Sequence, residues 1–117
     1  MSFIFRRVLV FALVINCVTA TAWARPPSEI NLSYNKEERS LHIEVSHVSK
    51  NPRKHFIRRV IVYKNGKQQD ERFFVQQTTA SMLITDIPLE AAKDDVISVE
   101  AICNEAGRKE AAITILE

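Results

Sequence analysis

The sequence predicts an all-β chain: an immunoglobulin-like seven-stranded β-sandwich that follows a cleaved signal peptide. Three observations carry this expectation. Apolar and polar residues alternate with period two over most of the chain beyond residue 25, as in half-buried strands. Turn-forming clusters recur about every 8–12 residues, the usual strand spacing of a sandwich. Asn65-Gly66 separates two β-rich runs, and both residue types tolerate the positive φ of a tight hairpin.

Residues 1–24 read as the signal peptide. Arg6 and Arg7 give a positive start, Val8 to Val18 is almost wholly apolar, and Ala22-Trp23-Ala24 supplies a small-residue exit. The apolar run is about half of the roughly 20 residues that a spanning helix needs. The expected location is therefore periplasmic or secreted, with no membrane contact after cleavage.

Residues 25–117 read as one sandwich domain. Ile30, Leu32 and Tyr34 share one face of a first strand, and Asn35-Lys36-Glu37-Glu38-Arg39 forms a polar turn. Leu41, Ile43 and Val45 define the inward face of the second strand. A polar loop holding Pro52 follows, and proline is excluded from central ladder positions. His55 to Lys64 makes the third strand, Gln69 to Gln76 the fourth and Ser81 to Ile87 the fifth. Pro88 to Asp95 contains Leu89, Glu90, Ala91, Ala92 and Lys93, enough for one helical turn across the end of a sheet. Val96 to Asn104 and Glu110 to Leu116 complete the set. The expected core is Ile43, Val45, Val60, Val62, Ile97, Val99, Ala101, Ile113 and Ile115.

Composition removes several function classes. The chain has 117 residues, 46% hydrophobic and 26% charged, an ordinary globular balance. Cleavage would remove Arg6 and Arg7, leaving 14 basic and 14 acidic side chains over 93 residues. That neutrality argues against nucleic acid as a partner. Two glycines are too few for a glycine-rich phosphate loop, and no nucleophile elbow frames a serine. Asp94-Asp95 and Glu37-Glu38 read as solvated turn acids. Lys50, Arg53, Lys54, Arg58 and Arg59 cluster around the Pro52 loop and form a local positive patch. Such a patch suits a small anion or an acidic periplasmic protein partner.

After cleavage Cys103 is the one cysteine left, so an internal disulfide is impossible. The histidines are His42, His47 and His55. His47 continues the inward parity of Leu41, Ile43 and Val45, whereas His42 falls on the opposite face. Cys103 continues the inward parity of Ile97, Val99 and Ala101. In a seven-strand sandwich the loop after the second strand and the loop after the sixth share one end. His47, His55 and Cys103 should therefore gather there. Two imidazoles and a thiolate suit iron, zinc or copper. Taken singly, each residue also fits an ordinary core position.

Two short motifs then resemble a known family. His55-Phe56-Ile57-Arg58-Arg59-Val60 is similar to the His-Tyr-Ile segment of superoxide reductases of the neelaredoxin and desulfoferrodoxin kind. Cys103-Asn104-Glu105-Ala106-Gly107 is similar to their Cys-Asn-x-His-Gly turn. The resemblance implies an immunoglobulin-like domain in which four histidines and one cysteine hold a mononuclear iron. It makes His55 one equatorial ligand and Cys103 the axial thiolate, with His47 a second histidine across a loop two residues longer. Ala106 stands where the family has its last histidine, and Pro27-Ser28-Glu29-Ile30-Asn31 lacks another. The resemblance thus implies a degenerate His47, His55 and Cys103 site for iron, with water or the Glu105 carboxylate completing it and a redox role.

A second resemblance is to the sandwich subunit of periplasmic thiosulfate-oxidising complexes. It rests on His55-Phe56-Ile57, Val60-x-Val62 and Asn65-Gly66-Lys67. This resemblance implies a metal-free, non-catalytic scaffold module that presents a partner.

Overall fold

The computed structural model describes residues 27–117; the segment read as a signal peptide lies outside the described residues. Seven strands follow in order: β1 (Glu29–Asn35), β2 (Ser40–Ser46), β3 (Ile57–Lys64), β4 (Lys67–Phe73), β5 (Met82–Pro88), β6 (Val96–Cys103) and β7 (Arg108–Thr114). All pairings are antiparallel. One sheet has the order β1-β2-β5 and the other β4-β3-β6-β7.

The Asn65-Gly66 turn determines where β4 goes. Asn65 has φ 51° and Gly66 φ 83°, so both occupy the left-handed region that a two-residue hairpin requires. Such a turn cannot carry the chain to the facing sheet, and β4 therefore pairs with β3. The Asn65 carboxamide extends the contact to the start of β6. Its Oδ1 accepts from the Val96 N–H at 2.9 Å and its Nδ2 donates to Asp95 at 3.0 Å. The exposed edge formed by β4 carries Lys67, Asp70, Glu71 and Arg72, charges that discourage pairing with another sheet.

The inward faces follow the alternation. Leu41, Ile43 and Val45 of β2, Val60 and Val62 of β3, and Ile97, Val99 and Ala101 of β6 are completely buried. Ile115 is also in the core, whereas Ile113 is only partly buried against it, because β7 is an edge strand. Leu83 and Ile87 of β5 and Ile30 of β1 close the other side.

Three local expectations need correction. Pro88 to Asp95 forms no helical turn, and the described residues contain no helix. Side chains satisfy this backbone instead. Tyr34 Oη donates to the Leu89 carbonyl at 2.7 Å and accepts from the Ala91 N–H at 3.1 Å. The Asp95 carboxylate accepts from the Ala92 N–H at 2.8 Å. With these partners available, a single turn cannot repay the cost of helix nucleation. Strand β4 ends at Phe73 rather than Gln76, since the chain must leave its sheet and cross to β5. Strand β3 begins at Ile57, so His55 lies in the loop just before it.

Candidate metal centre

Strand parity and register build this site. His47 follows the last residue of β2, and its N–H donates to the Ser81 carbonyl at 2.9 Å. The side chain stays on the core face and is completely buried. Ile57 pairs directly with Cys103. The β3 segment just before Ile57 therefore runs alongside the end of β6, which brings His55 to Cys103. Cys103, with the inward parity of Ala101, is 6% exposed.

The three sequence-predicted residues converge. One donor atom from each of His47, His55 and Cys103 can be chosen so that all lie within 4.8 Å of one another. His55 Nε2 is 3.1 Å from Cys103 Sγ. The rings of His47 and His55 meet edge to face, with centroids 4.6 Å apart and planes at 79°. Metal–ligand bonds of about 2.0–2.3 Å put donor atoms roughly 3.3–3.8 Å apart around a tetrahedral ion. The observed spacing is close enough for small rotamer adjustments to bring all three donors onto one ion. Among the described residues this is the one cluster of histidine, cysteine and carboxylate groups able to hold a metal ion.

The turn after β6 clamps the site. The Asn104 N–H donates to the Phe56 carbonyl at 3.0 Å. Its side-chain Oδ1 accepts from the Phe56 N–H at 3.0 Å, and Nδ2 donates to the Lys54 carbonyl at 2.7 Å. Asn104 thus fastens the backbone on both sides of His55 to the residue after Cys103. Gly107, at φ 84°, closes the turn by accepting the Cys103 N–H at 3.1 Å. The Glu105 N–H points at Cys103 Sγ, 3.4 Å away.

Glu105 does not stand with the donor atoms. Its carboxylate lies 3.6 Å from His55 Nδ1, behind the ring, while Nε2 faces the sulfur. The sequence expectation that Glu105 completes the ligand set is corrected to a supporting contact on the far nitrogen. Ala106, in the same turn, offers no donor atom.

Periodicity overlooked Gln77. It lies in the segment crossing from β4 to β5 and is buried against His47, whose Nδ1 contacts its Oε1. A glutamine among Gln76, Thr78 and Thr79 reads as an ordinary polar loop residue, and nothing in its spacing marks it.

With the geometry defined, known structures can be compared. Superoxide reductase (neelaredoxin) from Ignicoccus hospitalis matches at 21% identity and TM-score 0.50, covering 79% of this chain and 80% of that one. Two variants of the same protein match at 20% and 18% identity, each with TM-score 0.50 and with 80% and 78% of this chain covered. The fold is superoxide reductase-like. No protein-family model matches the sequence, and no curated protein matches it significantly.

The surroundings are cationic on one side. Lys50, Arg53, Lys54 and Arg58 are exposed. Arg59 pairs with Glu71 and lies over the Phe73 ring, 5.8 Å from its centroid. A pocket of about 230 Å³ next to the site is lined by Arg58, Arg59, Phe73, Ile102, Cys103 and Asn104.

His42 takes no part in the site. It sits on the outer face of β2, with Nδ1 2.7 Å from Asp86 and Nε2 2.8 Å from Glu44. The Glu44 and Asp86 carboxylates raise its pKa above the ordinary 6.5. A raised pKa in the folded state stabilises the protein below the unfolded value, and this contribution disappears as pH rises through the folded pKa. His42→Asn should therefore destabilise the protein more at about pH 5.5 than at a pH above the raised folded value, where the ring is neutral in both states. The group is exposed, so the difference should be about 1 kcal/mol or less. Equal losses at the two pH values, read from paired melting curves, would remove the ion pairs from the account.

Proposed function

We propose that this chain is an exported metal-binding domain carrying a mononuclear centre, iron by its likeness to superoxide reductase, on His47, His55 and Cys103. The convergence of three donors at one end of the sandwich is the observation that carries the reading. They come from positions separated by up to 56 residues in sequence, numbered 47 to 103. A bound iron would supply one-electron chemistry there. Three protein donors leave at least one coordination position for water or a small anion. The cations of the Pro52 loop would draw an anion toward that position by focusing the local field. His55 is held by Asn104 and backed by Glu105, and the Glu105 N–H borders the sulfur.

The second reading is a metal-free scaffold that docks a periplasmic protein partner. Its support is a set of exposed apolar side chains near the loops of this end, Val48, Phe73 and Val75, together with the cationic loop. Metal analysis of the mature protein, purified without chelator or a histidine tag, separates the two. About one equivalent of iron per chain is expected. Preparations with no metal, which also take up none when supplied with Fe(II), would favour the scaffold.

A further inference from the structure

Gln77 is 4% exposed, and both ends of its amide are engaged. Nε2 donates to the main-chain carbonyls of His47 at 2.9 Å and Thr79 at 3.2 Å. Oε1 accepts the Ile57 N–H at 3.1 Å and also contacts His47 Nδ1. The amide consequently has only one workable orientation. Carbonyl oxygens can only accept and the Ile57 N–H can only donate, so a flipped amide would lose all three main-chain bonds. The atom facing His47 Nδ1 is an oxygen with no proton to give. Nδ1 must donate, and in the neutral ring the lone pair then resides on Nε2.

We infer that Gln77 is a positioning residue that locks His47 in the Nδ1–H tautomer and so presents Nε2 as its metal donor atom. The metal half of this inference rests on the function proposed above; the tautomer half stands on the hydrogen bonds alone. A neutral histidine side chain free in water prefers the opposite tautomer, with the proton on Nε2. Gln77 would therefore set in advance which nitrogen can ligate, as outer-shell partners of metal-binding histidines generally do. The amide also joins the end of β2 to the start of β3 through His47 and Ile57, so the same group fixes both the ring and the backbone beneath it.

Two measurements on the whole mature protein test this. Long-range proton–nitrogen spectra of the metal-free protein, recorded across a pH series, read the His47 protonation and tautomer directly. Co(II) titration against a competing chelator reads affinity, with the thiolate charge-transfer band reporting the sulfur ligand. The wild type should show Nδ1–H. Gln77→Met should shift His47 toward Nε2–H and weaken Co(II) binding about 10–100-fold. Gln77→Glu, which retains an oxygen at that point, should keep both properties nearer the wild type. An Nε2–H ring in the wild type would overturn the inference. So would a Gln77→Met protein with unchanged tautomer, or with unchanged affinity. If Gln77→Met fails to fold, the wild-type spectrum and Gln77→Glu decide the matter. A wild type that binds no Co(II) would overturn the metal-donor role, while the tautomer spectrum would still show whether Gln77 orients His47.

Discussion

Val99→Asp should cost more than about 3 kcal/mol, because it leaves a carboxylate in the core with no partner. Val99 is completely buried. In its sheet it pairs with Val62 on one side and Ala111 on the other, and it belongs to the same buried cluster as Leu41, Ile43 and Leu83. No described basic side chain is in that cluster. A domain of this size has roughly 5–15 kcal/mol of stability in total, so the variant should be largely unfolded or melt tens of degrees early. Acid should partly rescue it. Burial raises the carboxyl pKa, and the penalty falls once the group is protonated. Ser98→Asp, on the opposite face of the same strand, should cost about 1 kcal/mol or less. Urea denaturation of both variants checks the pair. A Val99→Asp protein as stable as Ser98→Asp would mean that the inward face of β6 has been wrongly assigned.

The same parity explains why much of the site was legible in the sequence. Leu41, Ile43 and Val45 fix the inward face of β2, and His47 is the next residue in that series. Ile97, Val99 and Ala101 do the same for Cys103. Period two therefore assigns both residues to the interior, and the sandwich topology assigns both to one end. His55 needed a further step, since it lies outside β3; the Ile57–Cys103 pairing places it.

Other features depend on paths that local patterns do not encode. The alternation carries the fourth strand on to Gln76, but β4 ends at Phe73, whose side chain is 61% exposed. The position of Gln77 depends on how residues 74–81 cross between the sheets, held by bonds such as Gln77 N–H to the Pro52 carbonyl at 3.2 Å. The irregular segment from Leu89 to Asp95 is similar. Its residues favour helix individually, yet a tyrosine some 55 residues away supplies the hydrogen bonds that decide its shape. Tertiary partners won over local propensity in each of these places.

Cys103→Ser should abolish the metal-dependent part of the protein's stability and leave most of the remainder. A ligand present at about 100–1,000 times its dissociation constant stabilises a fold by roughly 2.7–4.1 kcal/mol. For a domain of this size, that raises the melting temperature by more than about 10 °C. Wild-type protein loaded with iron should therefore melt at least that much higher than the same protein after chelation. Metal binding is coupled to folding because the donors are brought together only in the folded chain. In Cys103→Ser, two imidazoles and a hydroxyl replace the N₂S set, and a serine hydroxyl is a poor ligand beside a thiolate. The chelator-sensitive shift should nearly vanish. In metal-free protein the substitution should cost only about 1–2 kcal/mol, since His55 Nε2 and the Glu105 N–H already border the sulfur position and can pair with a hydroxyl. Buried but unligated, Cys103 would predict a different result. Chelator would then move neither melting curve, and wild type and variant would differ by the same small amount in both conditions. That outcome would remove the metal centre and leave the docking scaffold as the reading of this end of the sandwich.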